Sequence, residues 1–368
     1  MHTRVLRAVR TVHSEERFDL VIRQGQITAI EKSGSATGDE IIDCSGQYVS
    51  SGWIDMHVHA MDSYQPYGDD ADKIGVGQGV TTIVDAGSCG ADHLEELYQR
   101  SRTAKTRVLA FLNISRIGLG LRQDELSRAE WIDPQLAAES ITKYRDFIVG
   151  LKARISRSVV KEEGISPLSA ALLISEQAKL PLMVHIGSGP PDIHEVLNSL
   201  RARDIVTHYL HGKANNILDN HNELIPELNA AIRRGVHLDV GHGTASFSFH
   251  VAETAKDRGA HPDTISTDIY RGNRVHGPVY SLADVLSKFM VIGYSLAEVI
   301  DRVTKRAADW LGRPELGRIQ VGDEANLTLF ELVPESRTMT DSNGDTRLAE
   351  SIIQSRGAII GGEYFYSS

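Results

Sequence analysis

Ser51-Gly-Trp-Ile-Asp-Met-His-Val-His59 joins a strand-like apolar run to two histidines one residue apart. Side chains on a strand alternate between faces, so His57 and His59 point the same way and Val58 the other. Two imidazoles side by side are half of a metal site. Two ordinary polar residues closing a strand would read the same way from this stretch alone, so the decision rests on what surrounds it.

From Trp53 onward the pattern is one of short apolar strands separated by helical stretches, the signal for a parallel sheet built of βα units. After 54–59, strands are expected at 81–85, 107–114, 147–152, 182–186, 205–209, 236–240 and 264–268, with helical patterns such as 93–104, 134–144, 167–178 and 225–234 between them. Eight such units in about 260 residues is the size of a (β/α)8 barrel of the TIM type. Two further helices are expected at 282–291 and 296–311, the second opening with Ser295 and Glu298 at capping-box spacing. The flanks read differently. Residues 1–50 alternate as short strands and turns, and β character returns at 317–330, 351–360 and 364–366, with a polar stretch at 341–345. The expected organisation is a small β-sandwich made from 1–50 and 314–368, with the barrel, 51–313, inserted between its halves.

The chain has 368 residues, 41% hydrophobic, and a net charge of −10. That is enough for one large core and a satellite domain, and the acidic balance argues against nucleic acid or an anionic membrane surface as partner. A small diffusible substrate is the better default. No apolar signal-like stretch opens the chain, and no run of about 18 apolar residues follows. Two cysteines, Cys44 and Cys89, do not make a disulfide framework. These features together are read as cytoplasmic. Closed homo-oligomers are common among barrels and would be compatible with the sequence.

Active sites of parallel barrels lie at the C-terminal ends of the strands, so a polar residue closing an apolar strand is informative. Here the strand ends read His57-Val-His59, Lys152, His185, His208 and Asp268. Singly, each has a plain reading: His185 or His208 as a hydrogen-bonded core histidine, Lys152 as a snorkelling lysine, Asp268 as a helix N-cap. Together, five strands aim nitrogen and oxygen donors at a common axis, which is the composition of a metal site.

With these residues the chain resembles the amidohydrolase superfamily over nearly its whole length. The resemblance is carried by the first β segment, Gly52-Trp-Ile-Asp-Met-His-Val-His59, the histidines of the fifth and sixth strands, the aspartate of the eighth, and the segment 317–330. It implies the binuclear type, in which CO2 adds to the lysine of the fourth strand and gives a carbamate bridging two metals. An ammonium has no lone pair for a cation, whereas a carbamate offers two anionic oxygens. His57, His59 and Asp268 would hold one metal and His185 and His208 the other, with carbamylated Lys152 between them. The implied metals are two divalent ions, zinc first, with manganese, iron or cobalt as substitutes. The implied reaction is hydrolysis of an ester or amide by a metal-bridging hydroxide, with Asp268 as the proton-transfer residue.

Departures from better-known branches narrow the resemblance. Dihydroorotase-like members carry an arginine two residues after His-x-His, where this chain has Ala60-Met61; adenosine deaminase-like members use His-x-x-Glu after the fifth strand, where it has His185-Ile-Gly-Ser188. The closer resemblance is to metal-dependent deacetylases often labelled dihydroorotase or adenine deaminase. Its marks are Asp85-Ala-Gly-Ser-Cys-Gly90, Gly150-Leu-Lys-Ala-Arg154, Thr207-His-Tyr-Leu-His-Gly212, Asp239-Val-Gly-His-Gly243 and Ser266-Thr-Asp268. For that set the resemblance implies deacetylation of small acylated 2-hydroxy or amino acids. A cyclic amidase or deaminase is the alternative, and a non-catalytic scaffold a more distant one, since every expected ligand is present.

Arg154 shares the face of Lys152 and is expected either to grip a substrate carboxylate or to pair with an acid at the barrel rim. His211 and His242, past the sixth and seventh strands, are read as substrate contacts or as loop histidines. Arg271, Asn273 and Arg274 would add anion-binding donors, and Tyr209 and Lys213 are further candidates.

Overall fold

The computed structural model describes residues 2–367. Seven parallel strands, Trp53–Val58, Val80–Ala86, Arg107–Asn113, Ile148–Ile155, Leu182–Ile186, Ile205–Thr207 and His237–Asp239, pair in sequence order. Nearly every residue in them is buried, as expected where a parallel sheet is covered on both faces. The eighth expected strand is not a regular one. Residues 264–269 nevertheless close the barrel, through parallel bridges from Thr264 to Asp239 and from Ile269 to Val58. The reason lies in its side chains. Thr264, Ser266 and Thr267 give their hydroxyls to the carboxylates of Asp239 and Asp55, and the Thr267 amide turns to Asp55 Oδ1 at 3.1 Å. Local side-chain bonds thereby displace part of the backbone ladder.

The bottom of the barrel is plugged. Ile54, Met56, Val84, Phe111, Met183 and Ile205 pack with Ala307 and Trp310 from the last barrel helix, which leaves only the C-terminal end open for a site. That helix is Lys305–Leu311; the single helix expected over 296–311 breaks at Val303-Thr304 into Leu296–Arg302 and Lys305–Leu311. The Ser295/Glu298 capping box is formed as expected.

The chain ends build two four-stranded sheets. One holds Thr3–Val9, Phe18–Arg23, Gln26–Lys32 and Glu40–Asp43; the other holds Tyr48–Ser51, Leu327–Val333, Ile352–Ile360 and Glu363–Tyr366. Leu6, Leu20, Ile22, Val49, Leu327, Leu329 and Ile359 share one core between them. Thr328 joins this unit to the barrel: its hydroxyl accepts from the Trp53 amide at 3.0 Å and donates to the Gly79 carbonyl at 2.7 Å. The polar stretch at 341–345 behaves otherwise. It tips the hairpin Arg337–Thr340/Thr346–Ala349 and docks on the barrel rim, where Asp341 accepts the Phe249 amide and Ser342 donates to the Gly243 carbonyl. Among the described residues no helix is long and apolar enough to cross a membrane.

Candidate metal centre and active site

The first strand carries the decisive irregularity. Ile54 and Met56 face the barrel interior, and strict alternation would send His57 outward. A register shift between Asp55 and Val58 resets the phase, and such bulges re-aim side chains. Asp55 takes up the freed His57 amide at 3.2 Å. His57 and His59 then both face the cluster, while Val58 packs into the surrounding core.

Hydrogen bonds on the far side of each ring fix the protons. Thr207 donates its hydroxyl to Asp239 Oδ2 at 2.8 Å, so it accepts from His57 Nδ1 at 3.0 Å. Ser88 donates to Asp85 Oδ2 at 2.7 Å, so it accepts from His59 Nδ1 at 2.8 Å. His208 Nδ1 donates to the Gly241 carbonyl at 2.5 Å. All three rings therefore turn a bare Nε2 inward, the tautomer that carboxylate, hydroxyl or carbonyl partners impose on metal-binding histidines.

Those three nitrogens converge on Asp268. Its oxygens lie 3.4 Å from His57 Nε2, 3.1 Å from His59 Nε2 and 4.0 Å from His208 Nε2. The buried Nε2 of His208 has no hydrogen-bond partner among the described residues. Lone pairs facing a carboxylate with no proton between them call for a cation, so the donor set fits a metal. His57, His208 and Asp268 alone bring three ligand atoms within 4.8 Å of one another. His185 joins edge-on to His208, ring centroids 4.4 Å apart.

The electrostatics agree. Burial, with the neighbouring Lys152 charge, brings His57 down to about 4, and burial holds His185 and His208 well below the usual range. They stay neutral, with lone pairs available.

Lys152 is fully buried, which removes the snorkelling reading, and burial lowers its ammonium to about 7. Nζ lies 3.2 Å from His57 Nε2 and 3.3 Å from Met183 Sδ. The residue does not end its strand. The strand runs on to Ile155, which places Arg154 two residues further along the same face.

A cavity of about 180 Å³ opens over the cluster, bounded by His57, His59, Lys152, His185 and Asp268. Arg154 and Lys213 reach it, as do Tyr67, Leu119 and Tyr270, which the sequence did not single out. Tyr67 and Tyr270 meet edge-on at 4.9 Å. Ser156 and Ser158, at the start of the short helix Arg157–Val160 that follows the strand, line the same cavity. Arg154 is held by Glu125, a fully buried carboxylate 3.0 Å away. Glu125 sits in the long connection after the third strand, where no pattern announced it.

The remaining candidates fall elsewhere. His242 donates through Nδ1 to the Gly243 carbonyl, accepts from Lys288 Nζ at 3.1 Å and stacks on Phe247. His211 accepts the Lys213 amide, and its buried Nε2 has no hydrogen-bond partner among the described residues. Tyr209 is buried with its hydroxyl on the Ala260 carbonyl. Arg271 and Arg274 pair with Asp69 at the rim, and Asn273 holds the Asp268 carbonyl. A larger hollow of about 930 Å³, between the docked hairpin and helix Leu282–Val291, contains none of the histidine-aspartate cluster.

A protein named deacetylase from Enterococcus faecalis is 43% identical over 94% of this chain and 95% of its own length. The chain belongs to the deacetylase family of the amidohydrolase superfamily. A family model described as a deacetylase-like composite domain matches residues 319–366 of this family member. A crystal structure titled adenine deaminase superposes with a TM-score of 0.95 at 40% identity, covering all of both chains. One titled dihydroorotase gives 0.91 at 33% identity, again over all of both. Family and fold together make this deacetylase-family chain a metal-dependent hydrolytic enzyme acting on a small molecule.

Proposed function

We propose that the protein is a binuclear deacetylase that releases acetate from small acylated 2-hydroxy or amino acids. The observation that carries the reading is the convergence of three proton-fixed Nε2 atoms on Asp268 in a chain 43% identical to a protein named deacetylase. His57, His59 and Asp268 would hold one ion and His185 and His208 the other. Lys152, whose ammonium burial brings down to about 7 so that a sizeable share is free amine near neutrality, would add CO2 and bridge them. Zinc suits these nitrogen and oxygen donors, with manganese, iron or cobalt as substitutes. When bound, the ions supply Lewis acidity and acidify a water. Asp268 accepts the proton of the attacking water on its carboxylate and returns it to the departing alkoxide or amine, and the cavity walls hold the acyl group against the cluster.

A cyclic amidase or deaminase is the second reading, suggested by the two superposed structures named adenine deaminase and dihydroorotase. Ala60-Met61 and His185-Ile-Gly-Ser188 stand where those chemistries would place an arginine and a glutamate, which weighs against it. We also propose the division into a β-sandwich of 1–50 and 314–368 and a barrel of 51–313. A cytoplasmic location is supported by Cys44 and Cys89, both free and buried.

The test is acetate release from O-acetyl 2-hydroxy acids and N-acetyl amino acids by metal- and bicarbonate-reconstituted protein, with ammonia followed in parallel. Acetate from wild type, and a loss of at least about 100-fold in Asp268→Asn, is expected. Ammonia release without acetate would replace the reading with the second one.

A further inference from the structure

Three charges besides the cluster bear on the cavity, and they do not balance. Arg154 is already committed: Nη1 lies 3.0 Å from Glu125 Oε2 and 3.3 Å from the Gln123 carbonyl. Glu125 is fully buried, so this pair is a fixture of the barrel wall. Lys213 has no such partner. Its backbone is pinned on both sides, by its amide on His211 Nδ1 at 3.1 Å and by Asn216 Nδ2 on its carbonyl at 2.6 Å. Its side chain lines the cavity beside His185, Ser156 and Ser188. Gly187 lies between it and the cluster: a Cβ there would be 3.5 Å from Lys213 Nζ and 3.8 Å from His185 Nε2, so ammonium and ring stand close to the same point.

Among the described residues no carboxylate lies within 4.0 Å of the Lys213 ammonium, and no side chain or carbonyl accepts from it. Lys213 is half-buried, so its ammonium is left to solvent alone and is open to an incoming anion. Burial pulls its pKa below the ordinary lysine value, with Arg154 adding to the effect and Asp268 opposing it.

We propose that Lys213 is the anchor for the carboxylate of the substrate, with the Glu125-locked Arg154 forming the wall behind it and not the primary grip. The inference rests on the acyl-acid reading above and names the group that selects acids over neutral analogues. An incoming carboxylate supplies the charge that Lys213 lacks. It also places the acyl group over the cluster, because Lys213 and His185 share one wall of a cavity of only about 180 Å³.

The experiment measures binding and turnover separately. Metal-loaded wild type, Lys213→Met, Lys213→Gln and Lys213→Arg are titrated calorimetrically with lactate and with lactamide. Each protein's kcat/KM is then taken on O-acetyl-lactate and O-acetyl-lactamide. Metal content and melting temperature matching wild type in at least one neutral variant establish that the fold is intact. Chelation by the hydroxyl group is common to all four proteins and cancels in the comparison.

Wild type is expected to prefer lactate. That preference should fall about 10- to 100-fold in Lys213→Met and Lys213→Gln, the scale of one charge-assisted hydrogen bond, and be largely restored in Lys213→Arg. An unchanged lactate-to-lactamide ratio in both neutral variants overturns the proposal, as does a wild type with no preference. Binding selectivity that collapses in the variants while no acetyl ester is cleaved sustains the anchor and removes the deacetylase reading instead.

Discussion

Thr207→Val tests whether the proton on His57 is held where the metal centre needs it. Valine keeps the branched shape and replaces the hydroxyl by a methyl group. In the native protein that hydroxyl accepts from His57 Nδ1 at 3.0 Å and donates to Asp239 at 2.8 Å. All three residues are essentially inaccessible to water. Without the hydroxyl, Nδ1–H faces Asp239 Oδ2 at 3.8 Å, too far for a hydrogen bond. A buried donor left so costs about 1–3 kcal/mol. The ring can avoid that cost by moving its proton to Nε2, but there it occupies the lone pair that faces Asp268 and Lys152. By that route metal binding must first return the proton to Nδ1, so the centre binds its ion more weakly, by up to roughly 5- to 150-fold in Kd for the same 1–3 kcal/mol, in line with losses of outer hydrogen bonds at metal sites. Competition against a chromophoric chelator reads the affinity directly, and melting in the presence and absence of the chelator separates it from general destabilisation. A Kd within twofold of wild type in a folded variant would refute the argument that Thr207 sets the tautomer.

Gly243→Ala should abolish turnover, because a Cβ at this left-handed position would sit 2.4 Å from Asp268 Oδ2; retention of more than a tenth of wild-type kcat would show that the carboxylate can yield. Lys152→Ala should purify with little metal, and added short carboxylic acids should return part of the activity; a fully metallated Lys152→Ala protein would leave the bridging role without support. Both cysteines should resist thiol reagents at pH 8 in the native state, since burial pushes Cys44 up to about 12 and Cys89 well above the usual thiol range. Labelling before unfolding would contradict that burial.

The barrel was legible because βα alternation has two distinct periods, and the His-x-His pair because a strand has period two. Other features depended on partners that sequence spacing does not reveal. The bulge at Asp55–Val58 matters only because Ile54 and Met56 fill the barrel floor while His57 must face the site. The fourth strand was read as ending at Lys152, since a buried lysine looks like a terminus; in the fold Met183, His57 and the barrel wall surround it and the strand continues. Glu125 lay in a connection without periodicity, so its pairing with Arg154 was invisible, although a pairing of that arginine with some acid had been one of two readings. His242, from its position after the seventh strand, reads equally as a substrate contact or a loop histidine; stacking on Phe247 and the bond from Lys288 are contacts that the sequence does not show.

The eighth position shows why the least regular segment can be the most consequential. His208 and Asp268 both adopt left-handed backbone conformations, with φ of 69° and 54°, a strain of about 1–3 kcal/mol for a non-glycine residue, smaller for aspartate. Each is held there by its neighbours: the His208 amide on the Val240 carbonyl at 3.2 Å, the Asp268 amide on the His57 carbonyl at 2.7 Å and Asn273 on the Asp268 carbonyl. A regular eighth strand would satisfy its own ladder and would not need Asp239 and Asp55 to collect the hydroxyls of Thr264, Ser266 and Thr267. Yet Asp239 is also the acceptor behind Thr207, and Asp55 the acceptor beneath His57. The carboxylates that replace the missing ladder are thus the same ones that orient the first histidine of the cluster, so closing the barrel irregularly and ordering the metal-facing groups are one structural event.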